Sequence, residues 1–314
     1  LRCGITTVQD GITRAGEWEL LQAAAQKGRL RLDTVCYPDM RLCPQLLTGN
    51  PLYRGRYDNR LKIGGYKIFL DGSPQGRTAW MTKPYVGEKD YCGYPIYTDE
   101  QVTAFLQGAL IEKAQILVHC NGDAACEQLI RCYETALKET GRPSEIRPVM
   151  IHAQLVREDQ LQRMKKLGMI ASFFVAHTWY WGDIHLENFG QERASMISPA
   201  KAAQEAGVPY TFHQDTPVIP PNMLETVWCA VNRQTQSGKC LGPGQRITAE
   251  EALRAVTGTA AYQYFEEDRK GAIREGMLEN LVILSENPLK TDPAHIKDIA
   301  VCATIREGEP LYQA

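Results

Sequence analysis

The chain has 314 residues, of which 44% are hydrophobic, so it is long enough for one large α/β domain with an appendage. It has 35 basic and 37 acidic residues and no long run of charges of one sign, which argues against a nucleic-acid-binding surface. The apolar runs are short and interrupted by charge, so neither a membrane span nor a signal peptide is predicted. Ten scattered cysteines without a C-x-x-C pair indicate reduced thiols and a cytoplasmic protein.

Strands and helices alternate along most of the chain, which predicts a parallel sheet with helices outside it. The predicted strands fall at residues 5–9, 31–37, around 67, 116–118, 149–151, 169–176 and 208–212. The predicted helices fall at residues 17–26, 99–114, 123–139, 158–167, 198–207 and 248–256. An alternation of about seven units fits a (β/α)8 barrel with one strand missing better than an open doubly wound sheet.

The C-terminal region departs from this alternation. Residues 270–276 introduce a turn, and residues 281–284 and 299–305 are predicted strands outside the barrel pattern. We therefore expect two domains, a barrel over residues 1–265 and part of a small β appendage over residues 266–314. The chain starts at Leu1 within a strand-like stretch, so we expect it to be a fragment of a longer protein.

A lysine lies inside an otherwise apolar strand at residue 67, and the strand runs into a glycine-containing polar loop. Burial disfavours an ammonium group, so Lys67 must find a counter-charge, lie at the wet end of the strand, or react as a neutral amine. A neutral lysine amine can capture carbon dioxide, and the resulting carbamate can bridge two divalent metals. Alone, this signal is weak, because a strand lysine is usually a snorkelling side chain.

Three further polar residues lie near the ends of later predicted strands, namely His119, His152 and Asp215. The carboxyl ends of parallel barrel strands meet on one face, so we expect these side chains to lie close to Lys67. Imidazole and carboxylate ligands suit zinc, the first candidate, and also iron, manganese or nickel. Asp215 would also be the catalytic residue that moves a proton from water to a leaving amine. Each residue alone could instead be a structural hydrogen-bonder or a turn aspartate.

Several residues are weaker candidates for substrate binding. Arg77 follows the lysine strand and, with Gln75, could hold a substrate carboxylate or carbonyl, or Arg77 could form a loop salt bridge. His213 lies two residues before Asp215 and would share its side of a strand, or it could fill a lower barrel layer. The exit of the next-to-last strand combines aromatic and polar groups that could line a pocket or plug the barrel mouth: His177, Trp179, Trp181, Asp183 and His185.

Six segments carry a family resemblance. They are residues 4–10 (GITTVQD), 66–73 (YKIFLDGS), 118–124 (VHCNGDA), 151–154 (IHAQ), 214–217 (QDTP) and 270–284 (KGAIREGMLENLVIL). In this order they resemble the successive motifs of the amidohydrolase superfamily, in the family-three branch that includes N-substituted formamide deformylases. The last segment is similar to the signature where that family's chain re-enters its β-sandwich domain, although Glu279 and Asn280 replace the usual Ala-Asp.

The resemblance implies a metal-dependent hydrolase that uses a metal-activated water to cleave a C–N bond of an amide, N-acyl or N-formyl small molecule. Lys67 would be the metal-bridging lysine, open to carboxylation, and His119 and His152 would be ligands of the second metal. Asp215 would be both a ligand and the proton shuttle. The superfamily often forms dimers, so a homodimer is the implied assembly.

One departure from the family pattern affects the metal site. The family's first strand supplies a His-x-His pair, and these 314 residues contain no such pair. We therefore expect an upstream portion with the first barrel strand to be absent from this chain, and we expect this chain alone to be poor in metal and inactive. Two other functions stay open: a non-catalytic or regulatory small-molecule-binding relative, and a metal-free barrel enzyme in which Lys67 forms a Schiff base.

Overall fold

A computed structural model describes residues 1–314 and shows an α/β fold with parallel strands, as predicted. The parallel strands are β1 (Thr7–Thr13), β2 (Asp33–Pro38), β3 (Leu61–Ile63), β4 (Gly65–Phe69), β5 (Gln115–Cys120), β6 (Val149–His152), β7 (Ile170–Phe173) and β8 (Tyr210–Phe212). The helices are α1 (Ala15–Gln26), α2 (Gln45–Gly49), α3 (Asp99–Ile111), α4 (Asp123–Thr140), α5 (Glu158–Lys166), α6 (His177–Tyr180), α7 (Gly182–Ser195), α8 (Ala200–Glu205), α9 (Met223–Asn232), α10 (Ala249–Val256) and α11 (Gly258–Gln263). An antiparallel sheet of β9 (Leu281–Leu284), β10 (Val301–Arg306) and β11 (Glu309–Gln313) ends the chain.

The parallel strands follow one another in sequence order across space. Strands β3 and β4 are one extended segment interrupted at Gly64; β3 pairs with β2 and β4 pairs with β5. A parallel bridge between Asp39, the residue after β2, and Lys67 of β4 places β4 beside the end of β2. Because β3 and β4 together form one strand position, the eight strands occupy seven neighbouring positions. Strands β1 and β8 are the two ends and are not paired with each other. Closure into an eight-stranded barrel therefore stays a prediction.

Both faces of the parallel strands are buried. One face packs against the helices through residues such as Ile68, Val118 and Met150. The other face forms a separate apolar cluster of Val35, Tyr37, Leu117, Val149, Ile151 and Ile170. Strands buried on both sides are typical of parallel sheets. Lys67 and His119 alternate with Ile68 and Val118 along their strands, so they belong to the face opposite the helices.

Two of the predicted helices begin with a capping threonine, and α4 begins differently. Thr98 caps α3 in a capping box with Gln101, and Thr248 caps α10 in the same way. Asp123, the first residue of α4, does not cap this helix: its carboxylate accepts the backbone N–H of Thr82 while Gly122 occupies the cap position. Asp123 thereby fastens the long loop before α3 to the start of α4.

Five helices were not predicted: α2, α6, α7, α9 and α11. The segment from residue 177 onward, expected to line a pocket or plug the barrel mouth, forms α6 and the start of α7. Its closely spaced aromatic and polar residues hide the helical period, and Gly190, with a φ of 74°, interrupts α7. A long loop precedes α3, since no helix or strand lies between residues 69 and 99.

The first residues of the chain pack on the C-terminal sheet. The backbone oxygen of Leu1 accepts a hydrogen bond from the Thr304 hydroxyl, and Gly4 lies against Val282. The predicted strands at the C-terminus are present, with β11 in addition. The domain boundary at residue 265 and the β-sandwich identity of this sheet stay predictions.

None of the helices is both long and apolar enough to cross a membrane.

Gly65 at the start of β4 provides a test of the strand pairing. A Cβ at this position would lie 1.9 Å from the backbone oxygen of Gln115, the residue it faces on β5. Gly65→Ala should therefore push the two strands apart and lower the free energy of unfolding by about 1–3 kcal/mol. Urea denaturation measures this, with Gly16→Ala as the control, since nothing lies within 4 Å of that helical Cβ. The control should stabilise α1 by up to about 1 kcal/mol, and an equal effect of both changes would contradict the prediction.

Candidate metal centre

Five of the six histidines form one connected cluster beyond the carboxyl ends of β5 to β8. The His152 ring is central, with its centroid 4.5 Å from that of His119, 4.9 Å from that of His213 and 6.0 Å from that of His177. His185 extends the cluster, 5.8 Å from His177. The predicted meeting of His119 and His152 is thus present in the structure, and three further histidines join them.

His119 is oriented by the loop that follows the lysine strand. Its Nε2 lies 3.1 Å from the backbone oxygen of Gly72 and 3.5 Å from an oxygen of Asp71. Nδ2 of Asn121 also lies 3.1 Å from this nitrogen, but the two oxygen atoms favour a proton on Nε2. The other nitrogen, Nδ1, is therefore left with a free lone pair, and it lies 3.1 Å from Nε2 of His152.

His152 reaches the cluster because the strand changes conformation at its last residue. Along β6, Val149 and Ile151 face the inner cluster while Met150 faces the helices, so a regular strand would direct His152 outward. His152 instead has a φ of +70°, and Ala153 has a φ of +46°. Non-glycine residues in this left-handed region are uncommon, and such strain clusters at functional sites. The sequence contains no signal for it.

His213 lies level with the other imidazoles. Its Nε2 is 3.1 Å from Nδ1 of His152, and its Nδ1 is 2.9 Å from the hydroxyl of Ser172 on β7. The alternative that His213 only fills a lower layer of the barrel does not fit these contacts. Ser172 was missed by the sequence analysis, although its position two residues after Ile170 on the same face of β7 is visible in the strand period.

Burial keeps these imidazoles neutral. It lowers the pKa of His119 and of His213 to about 3, and the charge of Lys67 adds to both shifts. Burial also lowers the pKa of His152 well below its ordinary value. At neutral pH each ring therefore holds one proton and offers one lone pair, the state in which imidazole binds a metal.

Lys67 lies inside the protein, with only 4% of its surface exposed. No carboxylate forms an ion pair with its Nζ, which lies over the ring of Phe69 at 4.9 Å from the centroid. Burial lowers its pKa to about 8, while attraction to Asp215 opposes the shift. The structure therefore shows neither a close counter-charge for Lys67 nor a position of its side chain in solvent. At neutral pH, a fraction of the Lys67 side chains is in the neutral amine form.

Asp215 lies at the open side of the cluster, where its side chain is exposed. Its φ is +52°, so it is the third non-glycine residue in the left-handed region at this site, after His152 and Ala153. One carboxylate oxygen, one nitrogen of His152 and one nitrogen of His213 all lie within 4.8 Å of one another. The carboxylate therefore faces both the imidazoles and solvent.

Asp71 lies in the motif of residues 66–73, and the sequence alone suggested no role for it. Its carboxylate is buried and accepts the backbone N–H groups of Trp80, Asn121 and Gly122. Burial raises its pKa to about 7, while these three N–H donors act in the opposite direction. Asp71 thus ties the loop after β4 to the turn after β5 and holds the backbone around His119.

The proposed substrate-binding residues divide into two sets. His177 is buried next to His152, and Trp181 packs edge-on against it at 5.4 Å between centroids. Trp179 instead contacts Trp228 of α9, away from this cluster, at 5.1 Å. The guanidinium of Arg77 is hydrogen-bonded to two partners, Nε to Asn188 at 2.9 Å and Nη1 to Glu88 at 3.2 Å. Only its Nη2 has no protein partner.

The donor atoms suit a divalent metal. Zinc binds imidazole nitrogen at about 2.0–2.1 Å, so two ring nitrogens 3.1 Å apart can both reach one ion. His119 and His152 present such a pair, with Lys67 and Asp215 beside it. Neutral imidazoles, a carboxylate and an amine in a largely buried setting form a donor set that fits zinc, iron, manganese or nickel.

Comparison with known proteins identifies the family. Residues 2–312 match the sequence pattern of the Amidohydrolase family. This chain belongs to that family. The match confirms the resemblance inferred from the six motifs. Among solved structures, an uncharacterized metal-dependent hydrolase from Pyrococcus furiosus is 27% identical and has a TM-score of 0.76 over 90% of this chain and 56% of its own.

Two curated relatives are similar over much of this chain. The putative amidohydrolase YtcJ of Bacillus subtilis is 25% identical over 81% of this chain and 48% of its own length. The N-substituted formamide deformylase of Arthrobacter pascens is 24% identical over 100% of this chain and 58% of its own length. The chain thus spans about half the length of these members of the amidohydrolase family.

Proposed function

We propose that the protein is a metal-dependent hydrolase that cleaves the C–N bond of an amide, N-acyl or N-formyl small molecule. The observation that carries this proposal is the approach of His119 Nδ1 to His152 Nε2, at 3.1 Å, beside a buried lysine and an accessible carboxylate. Membership of the amidohydrolase family and the similarity to a formamide deformylase support the reaction class.

In this proposal Lys67, His119, His152 and Asp215 hold the metal, with zinc as the first candidate. Bound there, a divalent metal supplies a water of lowered pKa and polarises the substrate carbonyl. The pKa of about 8 makes the Lys67 amine available for carboxylation, which would turn a neutral nitrogen donor into an anionic oxygen donor. The carboxylated form and the number of metals are part of the proposal.

Asp215 moves the proton. Its carboxylate lies at the open side of the cluster, within reach of both solvent and the imidazoles. It takes a proton from the attacking water and gives that proton to the leaving nitrogen, since expulsion of an amine requires its protonation.

The substrate is proposed to be a small molecule bound near His177 and Trp181, where an aromatic wall adjoins His152. His213, Trp179 and Arg77 complete the set of proposed binding residues, with Arg77 offering its free Nη2 to a carboxylate or carbonyl. We also propose a homodimer and a cytoplasmic location; the ten unpaired cysteines support a reducing compartment.

The function is tested by elemental analysis and by hydrolysis of a panel of N-formyl amines, N-acyl amines and simple amides. Both measurements are made on the 314-residue chain and on the product of its complete reading frame. We expect one or two transition-metal equivalents and amine release from the complete product, and less metal and no turnover from the chain alone. Absence of metal from both, even after treatment with zinc and bicarbonate, would leave a regulatory small-molecule-binding role instead.

Asp215→Asn separates proton transfer from binding. The amide cannot accept the proton from water, so kcat should fall by about 10²–10⁴-fold with a smaller change in KM. Asp298→Asn is the control, because that carboxylate is exposed and pairs only with His295. Equal activity of the Asp215 variant and the control would exclude Asp215 as the proton shuttle.

A further inference from the structure

The acceptors around His119 favour one direction for the hydrogen bonds through the imidazole cluster in the metal-free protein. Nε2 of His119 faces the carbonyl of Gly72 at 3.1 Å and a carboxylate oxygen of Asp71 at 3.5 Å, against a single donor, Nδ2 of Asn121, at 3.1 Å. In the favoured direction His119 donates from Nε2 and accepts at Nδ1. His152 therefore donates from Nε2 to His119 and accepts at Nδ1 from Nε2 of His213. His213 in turn accepts at Nδ1 from the hydroxyl of Ser172. Each neutral ring thus has a defined tautomer.

His152 uses a different ring nitrogen toward each neighbour, which divides the cluster into two alternative metal sites. A metal bound with His119 requires Nε2 of His152 as ligand. A metal bound with His213 and Asp215 would use Nδ1 of His152, the nitrogen that lies 3.1 Å from Nε2 of His213. One ion cannot bind both nitrogens of the same ring, so the protonated nitrogen of His152 distinguishes the two sites.

The surroundings of His119 favour the first site. Histidines that bind metals usually donate their other N–H to a carboxylate or a backbone carbonyl, which fixes the ring and raises its basicity. Nε2 of His119 has both, with Gly72 at 3.1 Å and Asp71 at 3.5 Å. His213 has only a serine hydroxyl in that position, as expected of a residue behind a ligand rather than of the ligand itself.

We propose that His213 and Ser172 are positioning residues that hold His152 as an Nε2 ligand. In the metal-loaded protein, His152 donates from Nδ1 to Nε2 of His213, and His213 donates from Nδ1 to the oxygen of Ser172. The serine hydroxyl suits this place because it donates in the metal-free protein and accepts in the loaded one. Both rings change tautomer with their proton count unchanged, while His119 keeps its proton on Nε2. This inference rests on the proposed metal-dependent function.

The test is NMR of the protein with ¹⁵N-labelled histidines, recorded before and after addition of zinc. Long-range ¹H–¹⁵N correlations report which ring nitrogen is protonated. We expect His152 and His213 both to change from the Nε2–H to the Nδ1–H form, and His119 to stay unchanged. If His152 keeps its proton on Nε2 while His213 changes, His213 is a direct ligand and the positioning role is overturned, although metal-dependent hydrolysis would still hold.

Variants of Ser172 add an affinity measurement. Ser172→Ala removes the acceptor for His213, and loss of such an outer hydrogen bond should weaken zinc binding by about 10–100-fold. Ser172→Thr retains the hydroxyl and should restore most of the affinity. Ser198→Ala is the control, since this serine is equally buried and its hydroxyl has no partner. The NMR and affinity measurements are made on the product of the complete reading frame. Equal zinc affinity of the Ser172→Ala variant and the control would overturn the role of Ser172, and absence of zinc binding in the unaltered complete product would overturn the proposed function as well.

Discussion

His152→Asn should abolish metal binding with little effect on folding. The ring of His152 contacts both His119 and His213, so its removal takes away one proposed ligand and separates the other two imidazoles. Loss of an outer-shell partner of a metal ligand costs about 10–100-fold in metal affinity, and loss of the ligand itself should cost more. We expect zinc affinity and kcat/KM each to fall by more than about 100-fold.

Asparagine is the replacement of choice because of the backbone at this position. His152 has a φ of +70°, and asparagine tolerates the left-handed region better than most residues. The burial of a neutral ring is replaced by the burial of a neutral amide, so the fold should persist. Zinc titration, steady-state kinetics and thermal unfolding of the same sample separate loss of metal from loss of structure.

His295→Asn is the matched control. It is the histidine outside the cluster, and its side chain is 69% exposed in a pair with Asp298. Its zinc affinity and activity should equal those of the unaltered protein. If His152→Asn retained full zinc affinity, the metal would have to lie elsewhere and the assignment of this cluster would fail.

Glu266→Gln should destabilise the protein by about 3–5 kcal/mol, because it breaks a buried ion cluster. Glu266 pairs with Lys62 and, at 2.6 Å, with Lys270, which also contacts Asp33 at 2.6 Å. Arg60 extends the cluster through Asp33 at 2.9 Å. These contacts join the starts of β2 and β3 to the segment after α11. Glutamine keeps the shape of the side chain but leaves two lysines with too little negative charge.

The destabilisation should also depend on pH. Burial alone would raise the pKa of Glu266, but attraction to Lys62 and Lys270 outweighs it, so the pKa lies below its ordinary value of 4.5. A carboxyl whose folded-state pKa is lowered contributes stability above its unfolded pKa and loses that contribution as the pH falls through the folded value. The difference in unfolding free energy between Glu266→Gln and the unaltered protein should therefore be full at pH 7 and shrink below about pH 4.

Urea denaturation at pH 7 and at about pH 3 measures both effects. Glu250→Gln is the control, since Glu250 and Arg254 form an exposed pair with side chains 61% and 73% accessible. Exposed pairs contribute about 0–1 kcal/mol, so the control should change stability little at either pH. A loss of less than about 1 kcal/mol in the Glu266 variant would show that water or a local rearrangement compensates the two lysines.

The sequence alone predicted the positions of the main strands, the two threonine-capped helices and the meeting of His119 with His152. These features depend on local patterns: the spacing of apolar residues, the turn residues, and polar groups that follow a strand directly. In a parallel sheet all strand ends lie on one face, so the order of residues along the chain is enough to bring strand-end side chains together. The ordered motifs also indicated the amidohydrolase family, which the family match confirms.

Other features of the site were decided only by the tertiary structure. The His152 side chain points toward the other imidazoles because of a left-handed backbone conformation, which a histidine in the sequence does not predict. The contact of Ser172 with His213 depends on the register of β7 against β8, and the tautomer of His119 depends on a carbonyl 47 positions away in the chain. Side chains distant in sequence meet here through packing, and the direction of a hydrogen bond follows from what each atom finally faces. Sequence spacing therefore determined which strand ends carry the proposed ligands, and tertiary packing determined which atom of each ring is available to bind.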